Sequence, residues 1–357
     1  MKILQVITSL QIGGAEKLIV DIVPMLCQRG LDVDVCLFNG KNTPFKQQLQ
    51  KCGCKIYDLS YDESYYSPLK IFKLWRIMRH YDIVHTHNTA SQVFAAIASV
   101  FCSVILFTTE HNTSNRRRDW KWYPVSIDRW MYNQYKKIIC ISNQAEVNLR
   151  KSIGKCKAEI VTIFNGIDIE MFHQARPNLN LRDDSKRFVI AMVAGFRFQK
   201  DHDTLIKAMT HLNKDRFELW LVGDGERRDD LQAMVVNLGL SEQVRFFGIR
   251  SDIPEILHTA DVIVMSSHFE GLSLSNIEGM AVGKPFIASD VDGLREITNG
   301  YGLLFPHGDD LALANIIKHL VEDRSYYDQI ATRCYERAKH FDINNMVDAY
   351  ARVYKCL

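Results

Sequence analysis

Short Val/Ile/Leu-rich runs alternate with longer segments of helical period from Ile3 to Phe305. In the first half the runs are Ile3–Ile7, Val33–Phe38, Ile56–Leu59, Ile83–His85, Val104–Thr108, Ile138–Ile141 and Ile160–Ile163. The second half adds Phe188–Val193, Glu218–Val222, Val244–Phe247, Val262–Met265, Phe286–Ala288 and Leu303–Phe305. A strand that is apolar on both faces must be covered on both faces, and helical crossovers make successive strands parallel. The pattern therefore predicts an α/β fold of doubly wound parallel sheets. A chain of 357 residues exceeds what one core usually serves. The alternation breaks at His173–Arg187, a polar stretch that contains Pro177 and has no core face. Two domains are thus expected, residues 1–172 and 188–342, joined by a linker over 173–187. The helix pattern Ile343–Leu357 follows the last strand and is expected to cross back onto the first domain. Ligands of such sheets bind beyond the carboxyl ends of the strands, so the facing edges are expected to form one cleft.

Composition excludes several classes. A 47% hydrophobic, 24% charged chain of net charge +2 is that of a soluble globular protein, not of a general nucleic-acid binder. The near-neutral total hides a basic stretch between Arg116 and Lys157. The nine cysteines include no CxxC pair and read as small apolar residues in a reducing compartment. Met1-Lys2 leads straight into a strand, which gives the expectation of a cytoplasmic protein without a signal peptide. Val93–Phe107, the longest apolar run, is too short to span a bilayer.

Residues 264–296 carry the chemistry. After the run Val262–Met265 comes a loop with Glu270 and Gly271, then an apolar helix pattern containing Glu278 that stops at Gly283-Lys284-Pro285. Strand, loop and helix N-terminus together offer free backbone N–H groups to an anion. Carboxylates are poor phosphate ligands but good acceptors for sugar hydroxyls. A pocket offering N–H groups to phosphate and two carboxylates to diols suits a nucleotide sugar.

Further motifs stand in a fixed order: Gly13-Gly14-Ala15-Glu16, Asp82-Ile83-Val84-His85-Thr86-His87, Thr108-Thr109-Glu110-His111, Asn165-Gly166-Ile167-Asp168, Gln199-Lys200-Asp201 and Val222-Gly223-Asp224-Gly225. Together with Glu270, Glu278 and Asp290-Val291-Asp292-Gly293, they resemble the retaining family-4 glycosyltransferases over nearly the whole chain. The resemblance implies two Rossmann-like domains of the GT-B kind. It also implies sugar transfer from a nucleotide-sugar donor to a glycan or lipid-linked acceptor, in surface-polysaccharide assembly, with retained anomeric configuration.

A departing diphosphate requires positive charge, and Lys200 is the foremost candidate. The family's arginine is replaced here by Gly195, and Arg197 is placed to reach the same diphosphate from a shifted backbone. By resemblance, Glu270 accepts from donor-sugar hydroxyls, Glu278 grips the ribose diol and His111 contacts the sugar or the reacting centre. Backbone N–H groups of Gly271, Leu272 and Ser273 would supplement the phosphate site. Gly13 and Gly14 would admit close approach of the diphosphate or acceptor, with Glu16 as a first-turn helix acid. His85 and His87 carry weaker signals. One of them is expected to point into the sheet's packing, because successive strand residues face opposite sides.

Asp32-Val33-Asp34, Asp201-His202-Asp203 and Asp290-Val291-Asp292 have the spacing of a DxD metal signature. The first is expected ahead of a strand, and the other two lie inside motifs already assigned. Cationic side chains and helix dipoles can neutralise the leaving group, so the expectation is activity without metal and without cofactor. A UDP-sugar is the expected co-substrate.

Arg116, Arg117, Arg118 and Trp120 form a basic, aromatic segment after His111 that suits an anionic lipid-linked acceptor or an anionic membrane surface. Pro68–Arg79 reads more simply as a sheet-covering helix than as a membrane-surface helix. Two rivals stay open: a nucleotide-sugar 2-epimerase of the same architecture, and a non-catalytic nucleotide-sugar-binding protein.

Overall fold

The structure is a computed structural model that describes residues 1–11, 13–61, 66–111, 125–182 and 187–356. The chain forms two compact units, residues 1–165 with 344–357, and residues 166–343. Residues 166–172, expected with the first domain, and the stretch expected as a linker both belong to the second unit.

The first unit holds a seven-stranded sheet: β1 (Lys2–Ile7), β2 (Asp32–Leu37), β3 (Ile56–Asp58), β4 (Ile83–His87), β5 (Ile105–Glu110), β6 (Lys137–Cys140) and β7 (Glu159–Thr162). Its order is β3-β2-β1-β4-β5-β6-β7 and every pairing is parallel. Leu4, Val6, Val84, Leu106 and Ile138 bury into a core with Leu74, Met78, Phe94 and Tyr132 from the covering helices. Asp32 and Asp34 lie inside β2 rather than ahead of it, because the Val33–Leu37 alternation extends back to Asp32. Helix Ile343–Lys355 packs on this unit, with Tyr350 and Tyr354 wholly buried.

The second unit holds a six-stranded sheet: β8 (Phe188–Val193), β9 (Phe217–Val222), β10 (Val244–Gly248), β11 (Val262–Met265), β12 (Phe286–Ser289) and β13 (Leu303–Phe305). The order is β10-β9-β8-β11-β12-β13, again all parallel. The core on one face gathers Ile190, Met192, Leu219, Leu221, Val264, Ile287, Leu313 and Ile317.

Both sheets reverse their winding once, between β1 and β4 and between β8 and β11. At such a switch point the loops after the two neighbouring strands diverge, leaving a crevice at their carboxyl ends. The predicted strands all form, and the topology places the loops that carry Gly13, His111, Lys200 and Glu270 after β1, β5, β8 and β11. Among the described residues no helix is long and apolar enough to cross a membrane.

Candidate active site

In the second unit, the loops after β8 and β11 meet through one ion pair. Lys200 ends the short 3-10 helix Phe198–Lys200, and its Nζ donates to Glu270 Oε1 at 2.5 Å. Ser267 Oγ donates to the same oxygen at 2.8 Å. Gln199 Nε2 is anchored on Phe269 O at 3.0 Å and only grazes Glu270 Oε2 at 3.5 Å. The side chain of Glu270 is 7% exposed and that of Lys200 20%, so Glu270 is not a solvated loop carboxylate. A lysine ammonium carries three protons. With one on Glu270, two remain for phosphate oxygens, while Glu270 Oε2 keeps lone pairs for hydroxyl donors.

A neighbouring turn fixes the backbone of this loop. Gly293 lies in the helix Asp292–Thr298, and a Cβ there would stand 1.9 Å from Gly271 O and 2.4 Å from Glu270 O. Only a residue without Cβ lets the loop lie so close. Ser289 Oγ donates to Ser267 O at 2.6 Å, and His268 N donates to Gln199 O at 2.8 Å, which ties the two loops together.

The helix Leu274–Ala281 begins directly after the loop, with Ser273 as its N-cap residue. The Ser273 hydroxyl caps no backbone N–H; it faces Met265 Sδ at 3.5 Å. The N-terminal N–H groups therefore have no side-chain oxygen competing with an incoming anion. Glu278 is half-buried on this helix, beyond a first turn that carries no acid. The helix dipole, which acts within the first turn, does not account for it.

Arg197 is exposed, and its guanidinium makes no hydrogen bond or ion pair with the described residues. Its Nε lies 4.0 Å from the place where a Gly195 Cβ would stand. The chain thus brings a cation back over the position where the resemblance places an arginine.

Asp201, His268 and His307 form a second cluster beside Lys200, with one ligand-type atom from each within 4.8 Å of the others. His268 Nδ1 and His307 Nε2 are 2.6 Å apart. Two nitrogens on a tetrahedral zinc at about 2.0–2.1 Å would stand roughly 3.3 Å apart. Both Asp201 oxygens accept from Thr204, one from its N–H at 3.2 Å and one from its hydroxyl at 2.7 Å, capping the helix His202–Met209. The present geometry is that of a hydrogen-bonded pair beside a helix cap. Among the other DxD-spaced acids, Asp34 accepts from Tyr81 and Lys55, Asp203 pairs with Arg227 and Asp290 pairs with Arg295.

In the first unit, Gly13 is the N-cap of the helix Gly14–Gln28 and Glu16 lies in its first turn. A Cβ on Gly13 would stand 2.2 Å from Glu16 Oε2, so the carboxylate folds back over this glycine. Burial raises the Glu16 pKa, with a hydrogen bond from Asn88 working against the rise. Asn88 follows β4 and takes φ +72°.

His111 follows β5 and is half-buried. Its Nε2 lies 2.9 Å from His87 Nδ1. His85 and His87 stack at 4.5 Å and are both wholly buried. The expectation that alternation would turn one of them away fails on its own geometry: residues two apart share a face. Burial lowers the pKa of His111 to about 4, of His85 to about 3 and of His87 well below its ordinary value. Arg116, Arg117, Arg118 and Trp120 lie outside the described residues. Sequence reasoning gave no role of their own to Ser267, three residues before Glu270, or to Gln199, Gln5 and Tyr354, whose contacts are long-range and signalled by no local pattern.

Comparison with known proteins agrees with this fold. Residues 12–171 match the family model "Glycosyltransferase Family 4" and residues 178–341 match "Glycosyl transferases group 1". The lipopolysaccharide core biosynthesis glycosyltransferase LpsD of Rhizobium meliloti is 25% identical over 354 residues, 96% of this chain and 95% of its own. An Escherichia coli UDP-Gal:alpha-D-GlcNAc-diphosphoundecaprenol alpha-1,3-galactosyltransferase is 26% identical over 72% of this chain and 70% of its own. The crystal structure of Anabaena HepE in complex with UDP superimposes with TM-score 0.89 at 25% identity, covering 100% of both chains. Two matched halves, two parallel sheets in GT-B order and full-length structural likeness place the chain in the family-4, group 1 glycosyltransferases, which transfer a sugar from a nucleotide-sugar donor.

Proposed function

We propose that the protein is a retaining, metal-independent hexosyltransferase that uses a UDP-sugar and extends a lipid-linked glycan in surface-polysaccharide assembly. The observation that carries this reading is the Lys200–Glu270 pair at the head of an uncapped helix N-terminus, with Glu278 on the same helix. Lys200, Arg197 and the N–H groups of Gly271–Ser273 meet the diphosphate. Glu270 Oε2 accepts from a sugar hydroxyl, and Glu278 accepts from the ribose diol. In the first unit, His111 meets the transferring sugar, and Gly13-Gly14 leaves room for a substrate group. The anomeric C–O bond breaks toward the diphosphate, whose growing charge the cations stabilise. The acceptor oxygen attacks from the same face and gives its proton to the departing phosphate oxygen. The UDP complex of HepE and the lipid-linked acceptor in the E. coli enzyme's name support the choice of donor and acceptor.

The acceptor would be met at an anionic membrane surface. Phe72 and Phe101, 58% and 72% exposed, line an apolar groove of about 410 Å³ together with Pro68, Ile71, Trp75 and Ala98. Arg76 and Arg79 stand over the Phe72 and Trp75 rings at 5.9 and 5.5 Å. The helix Leu69–Met78 covers the sheet as expected, through Leu74 and Met78, and also presents this apolar, basic-rimmed outer face.

Thermal shift with UDP, GDP and dTDP tests the reading. UDP at a hundredfold over its Kd should add about 2.7 kcal/mol. Lys200→Met should weaken UDP at least about tenfold, and EDTA should change neither binding nor turnover. Equal UDP affinity in Lys200→Met, or turnover that EDTA abolishes and Mg²⁺ restores, would refute it.

A further inference from the structure

The loop histidine of the first unit stands at the end of an unbroken chain of buried hydrogen bonds that begins on the C-terminal helix. Gln5 is level with His85 across β1 and β4, and Thr109 is level with His87 across β5 and β4. From the loop inward, His111 Nε2 meets His87 Nδ1 at 2.9 Å and His87 Nε2 meets Gln5 Oε1 at 2.8 Å. Gln5 Nε2 meets Tyr354 OH at 2.9 Å, and Tyr354 OH meets His85 Nδ1 at 2.5 Å. His85 Nε2 then meets Thr109 Oγ1 at 2.8 Å, which meets Tyr350 OH at 3.2 Å. Gln5, His85, His87, Tyr350 and Tyr354 are all 0% exposed.

A neutral imidazole offers one donor and one acceptor. The Gln5 amide can turn either end toward His87, and that choice decides which nitrogen of His111 carries the proton. In the structure its Nε2 donates to Tyr354 OH, which leaves Oε1, an acceptor only, against His87 Nε2. His87 Nε2–H therefore donates to the Gln5 carbonyl, leaving His87 Nδ1 as the acceptor for His111 Nε2–H. The Tyr354 hydroxyl, accepting from Gln5 Nε2, keeps its own proton for His85 Nδ1. Read this way, every member finds its partner and no two protons meet.

We propose that Tyr354 and Gln5 are positioning residues that hold His111 as its Nε2–H tautomer, so that Nδ1 presents a lone pair to a hydroxyl of the bound sugar. This rests on the proposed role of His111, while the hydrogen-bond direction stands apart from it. Removing the Tyr354 hydroxyl leaves the Gln5 amide N–H groups facing a ring. An orphaned buried donor is worse tolerated than an under-used carbonyl, so the amide turns over and donates to His87 Nε2. His87 then carries its proton on Nδ1 and gives it to His111 Nε2, which moves the His111 proton to Nδ1.

Two-bond ¹H–¹⁵N correlation spectra of the ligand-free protein read these tautomers directly. The expected result is His111 protonated on Nε2 in the wild type and on Nδ1 in Tyr354→Phe. Tyr350→Phe, a hydroxyl lost from the same helix beyond Thr109, should leave the His111 tautomer unchanged. A wild-type His111 carrying its proton on Nδ1 overturns the proposal, and that measurement needs no variant to fold. An unchanged tautomer in Tyr354→Phe also overturns it. UDP release from UDP-glucose separates the two claims. If the tautomer switches as expected, kcat should fall about tenfold, the worth of one hydrogen bond, with KM little changed. A tautomer switch with unaltered kcat upholds the hydrogen-bond chain and removes His111 from its proposed role at the sugar.

Discussion

Replacing Gly293 by alanine should disable the Glu270 loop without unfolding the chain. The added Cβ would lie 1.9 Å from Gly271 O, 2.4 Å from Glu270 O and 2.7 Å from Glu270 C. An ordinary carbon–oxygen contact is about 3.3 Å, so the Gly271 carbonyl has to retreat by roughly 1.4 Å. Both obstructing groups are backbone, so no side-chain rotation relieves the clash. Overpacking of this kind costs about 1–3 kcal/mol, which lowers Tm by roughly 2–12 °C for a unit of this size. The functional loss should be larger. A displacement of about 1 Å in a positioned group can cost about 100-fold in rate, or about 2.7 kcal/mol of transition-state stabilisation. UDP release from UDP-glucose gives kcat/KM, and calorimetric UDP titration gives the ground-state share. Asp292→Ala, which removes an exposed neighbour on the same turn, should stay within about 0.5 kcal/mol of wild type. Turnover within twofold of wild type for Gly293→Ala, at an unchanged Tm, would refute the argument that this glycine sets the loop.

Two further expectations follow from burial and surface. His85, His202 and His111 have folded pKa values lowered by burial to about 3, about 4 and about 4, whereas an unfolded histidine titrates near 6.5. The unfolded chain therefore binds protons first on acidification. Stability should be full above pH ~6.5 and fall by about 1.4 kcal/mol per pH unit for each such histidine between pH ~6 and ~4. A flat urea midpoint across that window would contradict the buried, neutral state. On vesicles of anionic lipid, Phe72→Ser with Phe101→Ser should reduce co-sedimentation, as should Arg116→Ala with Arg117→Ala and Arg118→Ala. Equal sedimentation of all three proteins would end the proposal of a membrane-facing surface.

Local pattern determined much of the molecule. Runs such as Ile3–Ile7 and Val262–Met265 are apolar on both faces, and only a doubly covered parallel strand buries them fully. The strand count, the parallel pairing and the loops that carry Gly13, His111, Lys200 and Glu270 were therefore legible before any coordinates. Motif order sufficed for the family, because each motif occupies a strand–loop–helix junction whose backbone geometry restricts the residues it accepts. Tertiary structure alone decided how those loops are held. Glu270 takes its orientation from Lys200 in a loop far away in sequence, and its backbone path from Gly293 in the following βα unit. The partners of His111 come from β1, β4 and a helix at the far end of the chain. Such contacts depend on which strands become neighbours, and short-range periodicity carries no information about that. The unit boundary at residues 165/166 was hidden for the same reason: residues 167 and 342, remote in sequence, meet through a backbone bridge that closes the second unit.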